Sequence, residues 1–414
     1  MADRIDQSIA ALEITRRRFL AGSAMAGFAA FLAACGTSGT GTAAPTEAAQ
    51  ATSGATAEAT AEATAAPAAT GGGKVNFANW IGYIDVSDDN KTHPTLDKFT
   101  KETGIEVNYQ EAVDDNETFF TSDLQGPLGA GLSTGWDIVV VTDWMVARLV
   151  RLGWLDTINT VNTPNFPANL LDQYHGRSFD PDTNLAAPWQ SGMTGIGFDK
   201  KKTGDLTSLT VFWDAKYKGK MTYLTEMRDT VGLAAIKLGI EPGTITQDQF
   251  DQAIAEIKTA VDGKLVRQLQ GNSYVDSMAS GDVIVAMAWS GDVQGLLVPD
   301  QGPDQDFQWQ LPTEGGMLWT DNQVIPKGAE NKGQAEIWIN FYYTPENAAT
   351  VEAWVNYVCP VKGAREILAS DPEVANNPLI FPTDDMVARL HQFKALSADE
   401  EQKWAATFSS VAGF

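Results

Sequence analysis

The stretch Glu314-Gly315-Gly316-Met317-Leu318-Trp319-Thr320-Asp321-Asn322 sets an indole two residues from a carboxylate. In an extended segment side chains alternate between faces, so Trp319 and Asp321 are expected to point the same way. Such a pair suits an organic cation. The carboxylate takes an ammonium group, while the ring covers the adjoining methylenes and adds cation–π attraction. A core tryptophan beside a turn aspartate would read the same locally, so the neighbouring groups decide. Aromatic, hydroxyl and acidic residues recur in short clusters: Trp80 with Tyr83, Thr142 with Trp144, Glu226 with Asp229, and Trp289. Glu226 and Asp229 are three apart and can share one side at a helix start. With Asp321 they supply the paired carboxylates that a buried di- or tricationic ligand needs, because stripping an ion of water costs several kcal/mol.

The elements that must position these groups follow from periodicity. Lys74 to Asn79 alternates like a first strand, Pro94 to Glu102 has helical spacing, and Ile105 to Tyr109 reads as a second strand. Glu117 to Leu124 reads as a helix, and Asp137 to Val141 is a continuous apolar run of the kind found in a covered central strand. A helix follows to about Leu152. Strand and helix in alternation mark an α/β doubly wound beginning. The pattern restarts with strands at Thr194–Phe198 and Lys220–Leu224, a helix at Thr230–Leu238 and a longer one from Gln247 to about Asp262. Val283–Ala288 is a buried strand, and after Trp319 come helices near Glu336–Tyr343 and Pro345–Val355 with a largely helical tail. Trp80/Tyr83, Thr142/Trp144, Glu226/Asp229 and Trp289 each fall just past the carboxyl end of a predicted strand. That is the edge where open α/β sheets bind ligands.

A chain of 414 residues has room for two domains with substantial cores. Its net charge of −24 is spread along the sequence, which excludes the basic stripe of a nucleic-acid partner and favours a cationic ligand or simple solubility. The histidines His93, His175 and His391 lack ligand spacing, and of the two cysteines, Cys35 and Cys359, the first is accounted for below. No metal site, disulfide or cofactor is expected.

The N-terminus reads as an address. Thr15-Arg16-Arg17-Arg18-Phe19-Leu20 resembles a twin-arginine export signal, and Leu32-Ala33-Ala34-Cys35-Gly36 resembles the lipobox at which a bacterial lipoprotein is cleaved and acylated on Cys35. The apolar run between them is shorter than the about 20 residues of a membrane span. Residues 36–73 are rich in Ala, Thr, Gly and Glu and read as a disordered tether. Its ends would lie on the order of 35 Å apart as a flexible coil.

From about Lys74 onward the chain resembles periplasmic spermidine/putrescine-binding proteins, the capture subunits of polyamine ABC transporters. The resemblance rests on Phe77-Ala-Asn-Trp-Ile-Gly-Tyr83, Phe99-Thr-Lys-Glu-Thr-Gly104, Asp137-Ile-Val-Val140, Phe179-Asp-Pro-Asp182, Glu314-Gly-Gly-Met-Leu-Trp-Thr-Asp321 and the run before Trp289. It implies a two-lobed periplasmic-binding-protein fold of type II character, hinged at crossings near Gly192, Thr320 and Arg365. Lobe 1 would comprise 74–192 plus 320–365, and lobe 2 would comprise 193–319 plus 366–414. The implied ligand set is Trp80, Tyr83, Thr142, Trp144, Glu226, Asp229, Trp289, Trp319 and Asp321. The implied partners are a polyamine and a membrane permease, met by an extracytoplasmic, lipid-anchored monomer without enzymatic activity. Ile81 and Gly82 stand where the family usually carries a polar residue and an acid, with Asp85 and Asp143 as candidate replacements, and Gln392 is the candidate for a family glutamine. The competing readings are a binding protein for another amine, a sugar or a ferric complex, and a cleft hydrolase with paired carboxylates.

Overall fold

Residues 72–413, apart from 88–90, 114, 299 and 300, are described by the computed structural model. The expected export signal, the expected lipobox at Cys35 and the expected tether as far as residue 71 lie outside the described residues. The Gly72 N–H donates to the Thr103 carbonyl, and β1 (Gly73–Trp80) follows, so residues 72 and 73, expected in the tether, belong to the folded part.

Helix α1 (Pro94–Thr103) starts with proline at its first turn and stops at Gly104, whose φ of 72° ends the helix in the left-handed region. It delivers the chain to β2 (Ile105–Val113), parallel to β1. The next helical stretch carries a one-residue bulge: α-helical at Asn116–Phe119, it widens to a π turn over Phe120–Leu124. Strand β3 (Ile138–Thr142) buries Ile138 to Val141 completely, as a parallel strand covered on both faces must. It feeds α2 (Asp143–Leu152), which buries Met145, Val146 and Leu149 along one stripe and ends at Gly153. The two-residue β4 (Leu155–Asp156) follows.

Strand β5 (Ala186–Asp199) departs from expectation: the periodicity gives only Thr194–Phe198, yet the strand runs for 14 residues, every one of them buried. Pro188 and the glycines hide the signal. The extended state is imposed from outside, by antiparallel pairing with β10 (Gly316–Pro326) in the register Trp319 to Gly192 and Asp321 to Gln190. Between them in sequence come β6 (Met221–Leu224), α3 (Met227–Lys237), α4 (Gln247–Asp262), β7 (Val266–Gln270), β8 (Val285–Trp289) and β9 (Phe307–Gln310). After β10 come α5 (Lys332–Tyr342), α6 (Pro345–Val355), the short β11 (Leu390–His391) and the terminal α7 (Ala398–Ala412). Capping boxes at Thr246/Gln249 and Ser397/Glu400 satisfy the first N–H groups of α4 and α7.

The strands form a mixed sheet in the order β2-β1-β3-β10-β5-β8-β6-β7, with β4 and β11 on β10 and β9 on β5. The apolar core is divided. One cluster joins Ile196, Val231, Phe250 and Met287 to Trp404 and Phe408 of α7. Two others gather around Phe77, Trp189 and Trp338, and around Val139, Met145 and Val324. Strand β5 contributes Trp189 to one side and Ile196 to the other, and β10 likewise gives Ile325 and Met317. Leu368 and Phe381 pack on the Trp338 side, whereas Leu396 packs on the Phe250 side.

Candidate functional site

The carboxyl ends of β1, β3, β6 and β8 meet the middle of β10 at one cavity of about 770 Å³, and all nine residues singled out from the sequence line it. Trp80 and Tyr83 arrive from the end of β1, Thr142 and Trp144 from the β3–α2 junction. Glu226 is the N-cap of α3, accepting from the Arg228 N–H, and Asp229 lies in the first turn, so both face the cavity as their spacing predicts. Trp319 and Asp321 sit on one face of β10 and both reach it.

The deep wall is a hydrogen-bonded chain of aromatic rings and acids. Trp289 Nε1 donates to Asp229 Oδ2 and Thr194 Oγ1 donates to Asp229 Oδ1, each at 2.8 Å, while Trp319 Nε1 donates to Thr194 Oγ1 at 3.1 Å. Asp321 accepts from Thr142 Oγ1 at 2.6 Å and from the Tyr83 hydroxyl at 3.0 Å. Asp292, which the sequence reading passed over, accepts from the hydroxyls of Tyr357 and Tyr274 and from Asn272 Nδ2 at 2.8–3.1 Å. Edge-on ring contacts knit the wall together: Tyr83 to Tyr357 at 5.3 Å between centroids and Trp289 to Trp319 at 6.3 Å. Two glycines permit this closeness. A Cβ on Gly192 would lie 2.2 Å from the Trp319 ring, and one on Gly291 would lie 2.3 Å from Tyr357.

None of Asp229, Asp292 and Asp321 has a lysine or arginine in contact among the described residues, and each is about 4 % exposed. Burial therefore pushes Asp321 up to about 7 and Asp229 and Asp292 up to about 6, only partly opposed by their hydrogen bonds and, at Asp229, by the more distant Arg228 charge. Burial also lifts Tyr83 far above the phenol range, with the neighbouring Asp321 charge adding to the effect. Tyr83 thus stays a hydrogen-bond donor.

The rim is built differently. Glu226 is raised to about 7 by burial, with the Arg228 guanidinium pulling the other way from 3.7 Å. Arg228 sits over Trp144, 3.9 Å from the ring centroid, so the face expected to hold a ligand carries a cation of the protein itself. Asp143 is paired with Arg177 and accepts from Asn322. Of the candidates to replace the acid absent at Gly82, Asp85 is buried on the Thr95 N–H away from the cavity, and Asp143 lines it already neutralised. The Gly82 N–H is held by Glu111. Gln392 lines the cavity, as does Trp354 of α6, which is also buried in the Trp338 core. Gln190 and Ser191 are fully buried against Tyr342 and Thr320 and do not reach it. Asp292 follows Trp289 by three residues, the same spacing as Glu226 and Asp229, and that signal could have found it. Tyr357 comes after α6 with no pattern around it.

Residues 95–383 match the bacterial extracellular solute-binding proteins, and the chain belongs to this family. It is 29% identical over 313 residues to the spermidine/putrescine-binding periplasmic protein of Escherichia coli, covering 75% of this chain and 84% of the relative. It is 27% identical to the putrescine-binding periplasmic protein SpuD of Pseudomonas aeruginosa, covering 80% and 90%. Among solved structures, a Listeria monocytogenes protein assigned to a spermidine/putrescine ABC transporter superposes with a TM-score of 0.69 at 27% identity, covering 82% of this chain and 98% of that one. These neighbours are two-lobed substrate-binding proteins, and the fold is theirs.

Proposed function

We propose that this protein is an extracytoplasmic binding protein that captures a polyamine of the spermidine/putrescine class and delivers it to an ABC permease without chemical change. The observation that carries the reading is the trio of buried carboxylates, Asp229, Asp292 and Asp321, which meet only neutral donors inside a wall of indole and phenol rings. Such a wall fits a flexible hydrocarbon bearing separated ammonium groups. Each ammonium would replace lost hydration with a charge-assisted hydrogen bond, and each ring contact would add roughly 0.5–2 kcal/mol. The names of the relatives point the same way. Tyr83, Thr142, Trp289 and Trp319 would orient the acids and cover the methylenes, Trp80 would close the first-lobe side, and Glu226 and Trp144 would form the rim.

In this reading the lobes hinge where β5 and β10 cross, and the packing of Leu368 and Phe381 on the Trp338 core supports a third crossing after Phe381, later in the chain than Arg365. Cys35 would anchor a monomer to the membrane, so Cys35→Ser is expected to release it from the membrane fraction. The decisive experiment is titration calorimetry with putrescine, spermidine and spermine against neutral sugars. Saturable heat with at least one amine and none with sugars is expected; no heat from any amine would sink the proposal.

A further inference from the structure

We infer that Glu401, at the edge of the cavity, is a clasp that holds its two sides together, a positioning residue whose effect on binding runs through the arginines it gathers. Glu401 sits on α7, which is anchored in the Ile196/Phe250 core by Trp404 and Phe408 three and seven residues further on; Trp404 stacks on Phe250 of α4 at 4.1 Å. Its carboxylate is buried, 7 % exposed, and gathers three guanidinium groups. Two come from α2 across the cavity: Arg148 Nε at 3.2 Å and Arg151 Nη2 at 2.7 Å. The third is Arg228 Nη2, from α3 on its own side, at 2.9 Å.

The spacing on α2 is what makes this a bridge. Trp144, Arg148 and Arg151 are four and three residues apart and so lie on one helical face, opposite α7 and the start of α3. Trp144 receives Arg228 on its ring at 3.9 Å and Arg148 at 5.2 Å, and Arg148 is held from its own side by Glu117 at 2.7 Å. One acid and one indole, from opposite sides, thereby share the same arginines. Three contacts, Arg148 and Arg151 with Glu401 and Arg228 with Trp144, must break together for the lobes to part. A partly buried network in which one carboxylate takes a hydrogen bond from each of three guanidinium groups is worth more than isolated surface pairs. It also fixes Arg228, and through it Glu226 at the cavity rim.

The test measures lobe separation directly and uses amine affinity as a second reading, which alone rests on the proposed function. In full-length protein with Cys35→Ser, spin labels at the exposed positions Lys101 on α1 and Gln252 on α4 report the distance between the lobes. Glu401→Gln is expected to lengthen and broaden the distance distribution of the amine-free protein. It should also raise the dissociation constant for spermidine or putrescine about tenfold, mainly through faster release. Adding 0.5 M NaCl should widen the distribution of the original protein and leave the variant unchanged. If Glu401→Gln disturbs folding, the double variant Arg148→Gln with Arg151→Gln, which leaves α7 intact, should give the same lengthening. Unaltered distances in a folded variant would overturn the clasp, even with a lowered melting midpoint. Lengthened distances in a protein that binds no amine would keep the clasp and remove the polyamine reading.

Discussion

At the deep wall of the cavity, Asp229, Asp292 and Asp321 accept hydrogen bonds from indole, phenol, hydroxyl and amide groups, whereas at the rim Glu226, Asp143 and Glu401 are matched to guanidinium groups. Both regions combine acids with tryptophan, and as local sequence they look alike. Their electrostatics differ because charge pairing is a property of the assembled lobes. A carboxylate that already holds a cation gains little from another, while one surrounded by neutral donors is short of a positive charge. The difference separates residues that would bind a ligand from residues that would shape the opening.

The largest expected effect is the split between the two regions. Asp229→Asn and Asp321→Asn should each weaken amine binding on the order of a hundredfold, since each leaves a desolvated ammonium without its partner. Glu226→Gln should cost less than about tenfold, because the Arg228 guanidinium 3.7 Å away already offers that acid a countercharge. Calorimetry on the three variants checks this, and equal losses would erase the distinction.

Next comes pH. The deep-wall acids must be ionised to receive ammonium groups, and burial holds Asp321 at about 7 and Asp229 and Asp292 at about 6. Amine affinity should therefore fall, by about tenfold or more, from pH 8 to pH 5, with the midpoint of the change near those values. A flat profile would mean that these carboxylates do not carry the ligand's charge.

A smaller effect is expected from the rings. Trp319→Leu should weaken binding by roughly tenfold, the scale of one or two cation–π and packing contacts. Calorimetry beside the aspartate variants ranks the ring against the acids.

The smallest is a stability effect in the absence of ligand. The folded-state pKa of Asp321 is raised above its ordinary value, so the native state holds this proton more tightly than the unfolded chain does. The group therefore destabilises the protein most above pH 7, and the penalty is relieved as pH falls toward the ordinary carboxylate range. Relative to the original protein, Asp321→Asn should be more stable at pH 8 than at pH 5 by about 1–2 kcal/mol, read from urea unfolding at both values. The opposite sign would show that Asp321 is stabilised as a carboxylate.

Much of this was legible in local patterns. The bounds of α4 coincide with the periodic run from Gln247 to Asp262, and β3 is the apolar run after Asp137, because helix and strand periods are local properties of side-chain order. The convergence of Trp80, Asp229 and Trp319 followed from placing short motifs at the carboxyl ends of strands. Strand β5 was shortened because its first half is extended by pairing with β10 rather than by its own alternation. Asp292 and Tyr357 escaped because a buried acid and the phenol that holds it are 65 residues apart in the chain.

The residue types and their intervals alone determined that strands and helices alternate, that aromatic and acidic groups gather at strand ends, and that Trp319 and Asp321 share a face. Those facts depend on backbone geometry over a few residues. Only the tertiary structure decided which acids keep a cation of their own. Arg228 rests on Trp144 and Arg148 reaches Glu401 because α2, α3 and α7 are brought together across the sheet. Charge neutralisation depends on distance in space, which short-range sequence patterns do not encode.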